Sequence, residues 1–153
     1  MKNFILFCLI IITTSCGFKV LKQSDLNFNI ISIETTGDKR INFNLRNKFQ
    51  ALHKNTNARK IKLVLETKKE KTIKEKNSKN EITKYLTKVT LNIKIITEDD
   101  KIKTISLVEQ IDYNVGLQNS QTINNEKISL KTLSNLLFDK TIKELSLLSV
   151  NDL

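Results

Sequence analysis

Three alternating segments constrain this chain more than any other feature. In "RKIKLVLETK" (59–68), Ile61, Leu63 and Leu65 share a face. In "KYLTKVTLNIKIIT" (84–97), Tyr85, Thr87, Val89, Leu91, Ile93 and Ile95 line up, with Lys84, Lys88, Asn92 and Lys94 opposite. In "KTISLVEQIDYNV" (103–115), Ile105, Leu107, Ile111, Tyr113 and Val115 do the same, interrupted by Glu109. Period two over such lengths means strands with one wet face and one buried face. The buried face needs a cover, so the rest of the chain must supply it.

Two amphipathic patterns do so. From Lys39 to about Lys54, the residues Ile41, Leu45, Phe49 and Leu52 recur at helical spacing, after Gly37 and a capping Asp38. From about Asn124 to Leu148, a stripe of Leu130, Leu133, Leu137, Thr141, Leu145 and Leu148 is widened by Ile128, Leu136, Phe138 and Ile142. "FNIISIE" (28–34) reads as a first strand, "EDDK" (98–101) as a tight turn, and 70–80 as a long charged loop. The order is β-α-β-β-β-α. The expected architecture is α+β, with two helices packed on one face of a four-stranded mixed sheet in a single domain over 28–150.

The N-terminus raises a question of address. Lys2 precedes an uncharged apolar run, Phe4 to Ile12, followed by Thr13, Thr14, Ser15 and Cys16. A bilayer-spanning helix needs roughly 20 apolar residues, so the run reads as a signal peptide over 1–15. A small residue before Cys16 fits lipoprotein processing, with Thr13 standing where Leu is usual. Cys8 would leave with the peptide. Cys16 would then be the sole cysteine of the mature chain, consumed by a lipid at the head of an extended leader, 16–27. Two or more acyl chains suffice for stable anchoring. The alternative is an ordinary signal peptide or uncleaved anchor in which Cys16 is incidental.

Catalytic chemistry has little to work with. His53 is the only histidine and Gly17, Gly37 and Gly116 the only glycines. That leaves no triad, no phosphate loop and no metal-ligand spacing, and neither a catalytic residue nor a cofactor is expected. The formal charge is +10, but 23 Lys, 20 Ile and 17 Asn reflect AT-rich codons as well as any anionic partner. Lys68, Lys69, Lys71, Lys74, Lys76 and Lys79 cluster around the 70–80 connector, with Glu66, Glu70, Glu75 and Glu81 interleaved. They are candidate ligands for the phosphates of a lipid, or else a solvated hairpin tip. Nucleic acid is not an expected partner of an exported chain without Trp.

"SCGFKVL" resembles the start of the LPS-assembly lipoprotein family, LptE, and the segments "TKYLTKVTL" and "YNV" resemble its consecutive strands. The closing "TIKELSLL" is similar to its terminal helix. Val20 stands where that family has Pro, and Lys22 where it has Tyr. The resemblance implies a non-enzymatic lipoprotein on the periplasmic side of the outer membrane. Such a protein plugs the lumen of the LptD β-barrel, assists its assembly and helps deliver lipopolysaccharide to the outer leaflet. The alternative is a lipoprotein auxiliary of a periplasmic ABC-type lipid-transport system.

Overall fold

The computed structural model describes residues 28–52 and 58–147. Its order is β1 (Phe28–Gly37), α1 (Lys39–Gln50), β2 (Arg59–Lys76), β3 (Ile82–Thr97), β4 (Ile102–Asn114) and α2 (Asn119–Leu147). The strands form one sheet in the order β1-β2-β3-β4. β1 pairs parallel to β2, as a strand-helix-strand crossover allows. The β2–β3 and β3–β4 pairs are antiparallel. Both helices cover the same face, as the α+β expectation requires. Signal peptide, leader, Cys16 and His53 lie outside the described residues.

The alternation in sequence becomes burial directly. Ile61, Leu63 and Leu65 of β2 and Val89, Leu91, Ile93 and Ile95 of β3 are buried against Ile41, Leu45 and Phe49 of α1 and Leu130, Leu133, Leu137 and Leu145 of α2. Each such side chain contributes about 1.5–3 kcal/mol through lost apolar surface. Among the described residues, the buried core runs from Phe28 to Leu145. A chain starting after Cys16 therefore carries all of it.

Three local expectations are corrected. The first helix ends at Gln50 rather than near Lys54; Ala51 closes it, its amide donating to the Asn47 carbonyl at 3.1 Å. The last helix begins five residues earlier than its apolar stripe, at Asn119. Side chains of these first turns tie it back to the end of β4: the Gly116 amide donates to Thr122 Oγ1 at 2.9 Å, and Asn125 Nδ2 donates to the Asn114 carbonyl at 2.9 Å. Ile128 and Leu136, expected to widen its buried face, are exposed.

The 70–80 connector is not a long loop. β2 continues to Lys76, and only the tight turn around Asn77–Asn80 separates it from β3. The Asn77 carboxamide oxygen accepts from the amides of Lys79 (3.0 Å) and Glu81 (2.9 Å), and Asn80 takes the left-handed conformation at φ 64°. The extended strand has exposed residues on both sides from Lys68 onward, which is why no period-two signal marks it. Cross-strand opposite charges hold it instead, Glu70 facing Lys88 and Glu75 facing Lys84. The second turn, at 98–101, is as expected, with Asp100 at φ 56°.

Candidate functional site

Five of the six clustered lysines lie on β2 and one, Lys79, in the turn after it. Alternation along the strand sends Lys69 and Lys71 to the helix-covered side and Lys68 to the open side. Most of this charge is engaged. Lys68 pairs with Glu70 at 2.9 Å, and Lys74 with Asp112 at 2.6 Å. Lys76 Nζ donates to the Asn80 side-chain oxygen at 2.9 Å. The Lys79 side chain has no ion-pair partner among the described residues.

Lys69 and Lys71 enter a network that joins four elements. Lys71 pairs with Glu126 of α2 at 3.0 Å, and Lys69 pairs with both Glu126 (3.6 Å) and Asp38 (3.4 Å). The Tyr113 hydroxyl donates to Glu126 at 3.1 Å. The Lys71 ammonium lies over two aromatic rings, Tyr85 and Tyr113, with centroids at 4.1 Å and 5.3 Å. Burial works against the charge of Lys71, yet its bonds to Tyr113 and Glu126 outweigh it and raise its pKa. Burial likewise pushes Glu126 up, but Lys71, Tyr113 and Lys69 hold it below the usual carboxylate range. Tyr113 is raised, chiefly by burial. Hydrogen bonding to Glu70 raises Lys68, and that to Asp112 raises Lys74.

Beside this network, Asp38, Lys39, Arg40, Lys69, Ile123 and Glu126 line an open groove of about 400 Å³. Asp38 is committed to its helix: its carboxylate accepts from the amides of Arg40 (3.1 Å) and Ile41 (3.0 Å). The Asp38 amide donates to Thr67 Oγ1 at 2.9 Å, and Thr67 donates to Asn42 Oδ1 at 2.9 Å. This knot fixes the start of α1 against β2.

The Glu109 interruption on β4 has a local explanation. Its side chain points under α2, is 15% exposed and pairs with Lys140. No group of three or more His, Cys, Asp and Glu placed to hold a metal occurs among the described residues. No described helix is long and apolar enough to cross a membrane. Sequence reasoning placed the six lysines in one cluster but missed their partners Glu126 and Asp112, which are distant in sequence. It also missed the cationic outer surface of α1, whose signal was legible: Lys39, Arg40, Arg46 and Lys48 occur with no acid between Lys39 and Gln50.

A β-α-β-β-β-α sheet with both helices on one face is an α+β fold shared with solved bacterial lipoproteins. The chain is similar to the rare lipoprotein B of Shewanella oneidensis at a TM-score of 0.59 and 10% identity, covering 80% of this chain and 98% of that one. It is similar to a putative lipoprotein of Caulobacter crescentus at 0.57 and 12%, covering 81% and 91%. The lipoprotein B of Nitrosomonas europaea matches at 0.52 and 13%, covering 87% and 90%. At these identities the likeness is one of fold. No family model matches the chain, and no curated protein matches it in sequence.

Proposed function

We propose that this chain is an outer-membrane lipoprotein, anchored through Cys16, that serves as a non-catalytic subunit of the lipopolysaccharide translocon. In this role it plugs an LptD-like β-barrel, assists its assembly and helps pass lipopolysaccharide to the outer leaflet. The observation that carries the reading is one fold shared with several bacterial lipoproteins, preceded in sequence by a run that ends "TTSC". Physical chemistry supports it. The lumen of a membrane barrel is polar, and the open face of this sheet presents Lys62, Glu66, Lys68, Lys88, Asn92 and Lys94. Lys76 and Lys79, at the far end of the β2–β3 hairpin, are the members of the lysine cluster without a carboxylate within ion-pair distance among the described residues. They are the nearest candidates for a lipid phosphate.

The test is a tagged pull-down from detergent-solubilised envelopes, comparing the native chain with Cys16→Ala. A large outer-membrane β-barrel recovered in near-equal amount is the expected result. Recovery of an inner-membrane ABC transporter without any barrel would overturn the proposal.

A further inference from the structure

Four of the six hairpin lysines are paired with carboxylates. A separate group of cations without ion pairs among the described residues lies on the helix layer. The inward side of α1 carries Ile41, Asn42, Leu45 and Phe49, all buried. At 3.6 residues per turn this leaves Lys39, Arg40, Phe43, Arg46, Asn47 and Gln50 on its outer side. Phe43 is 65% exposed, with Arg40 three residues before it and Arg46 three residues after, so both arginines neighbour it on the same helix face. Two of the three arginines in the chain are these two.

The neighbouring side of α2 continues the patch. Ser134 and Phe138 face α1, Ser134 accepting from Asn44 Nδ2 at 3.5 Å and Phe138 packing on Phe49 with ring centroids 5.0 Å apart. Lys127 and Lys131 precede Ser134 by seven and three residues, which puts them on that same side, and both are exposed. Among the described residues, none of Lys39, Arg40, Arg46, Lys127 and Lys131 forms an ion pair. Two acids, Asp38 and Glu126, share the groove with Lys39 and Arg40, and both are engaged. Asp38 is taken by the helix amides and Lys69, and Glu126 by Lys69, Lys71 and Tyr113.

We propose that the outer face of α1, with Lys127 and Lys131 of α2, is a docking surface for an anionic phospholipid bilayer. Guanidinium groups match phosphate geometry through paired N–H donors. An exposed aromatic ring between them gains by entering the headgroup boundary. The inference rests on the tether in the proposed function for its choice of occupant. Cys16 precedes Phe28 by twelve residues, so a lipid there holds the start of the domain within about 43 Å of the bilayer. A cationic patch on a domain so confined meets anionic headgroups continuously, with an attraction that salt screens within about 10 Å. The docked orientation belongs to the chain outside the barrel.

The experiment uses the chain from Gly17 to Leu153, without lipid, and vesicles of equimolar phosphatidylglycerol and phosphatidylcholine against phosphatidylcholine alone. The chain has no tryptophan, so Phe43→Trp supplies a single fluorescent reporter at the centre of the patch. The expected result is a blue shift of the indole emission with anionic vesicles only, reversed by salt. Arg40→Gln with Arg46→Gln should weaken co-sedimentation about 30-fold, at the usual contribution of two cations near a charged surface. Lys68→Gln with Lys74→Gln, in the hairpin, should leave it unchanged. Circular dichroism establishes that each variant is folded. Equal binding to neutral vesicles, binding without a fluorescence shift, binding abolished only by the hairpin pair, or no binding would each overturn the inference. Acylation of Cys16, read by the mass of the membrane-extracted chain, and the pull-down above test the tether and the barrel separately.

Discussion

Lys71 and Glu126 stand 55 residues apart in sequence and 3.0 Å apart in space. Their pair ties the far half of β2 to the first turns of α2, and Tyr113 of β4 donates to the same carboxylate. At the hairpin end of the sheet, where apolar residues run out, this polar network takes over from the core.

Glu126 is therefore expected to matter more than a surface acid. Its side chain is 22% exposed and serves Lys69, Lys71 and Tyr113 together. Glu126→Ala should destabilise the domain by about 1–3 kcal/mol, the usual cost of stranding partly buried hydrogen-bonding partners. Urea denaturation checks this; a change within a few tenths of a kcal/mol would mean that the pairs are ornamental.

The same residue predicts an acid limb. Its pKa lies below 4.5 in the folded chain, so the unfolded chain binds more protons between the folded value and 4.5. Its contribution is present above 4.5 and is lost as pH falls through the folded value. Glu126→Gln should show a shallower loss of stability across that window than the native chain. Identical slopes would contradict the assignment.

At the alkaline end the sign reverses. Lys71 is raised above 10.5 and Tyr113 above 10.0 in the folded chain, so unfolding is favoured as pH climbs past those values. Tyr85→Phe keeps the ring over Lys71 and leaves Tyr113 as the only tyrosine. Tyrosinate absorbance in that variant should appear at higher pH in the folded chain than in urea.

Gly37 ends β1 at φ +98°, and a Cβ there would sit 1.9 Å from the Thr67 carbonyl oxygen. Gly37→Ala is expected to cost about 2–4 kcal/mol through backbone strain and overlap. Thr67→Val removes the hydroxyl shared by Asp38 and Asn42 and should cost about 1–3 kcal/mol. Thermal unfolding of the two variants reads both; Gly37→Ala melting like the native chain would refute the strain argument.

Lys140→Ala should leave the mostly buried Glu109 carboxylate under α2 without its ion-pair partner, lowering stability by about 1–3 kcal/mol. Adding Glu109→Gln should recover part of that loss. A double-mutant cycle with no coupling would show that water already serves the carboxylate.

The fold and the site were legible to different extents. The residues that face the core announce themselves by period, two for Ile61, Leu63 and Leu65 and about 3.6 for Ile41, Leu45 and Phe49, because burial is a property of one face of one local element. That alone determined the element order, the layering and the α+β class. It could not place the end of β2, since the residues beyond Thr67 are exposed on both sides and stay extended only because β3 pairs with them. Nor could it tell that Lys71 is engaged while Arg46 is free of ion pairs among the described residues. Charge compensation depends on partners such as Glu126 and Asp112, which are brought near by the packing of α2 and β4. Local periodicity is written along the chain, whereas which charges remain uncompensated is decided by contacts between elements, and only the tertiary structure contains those.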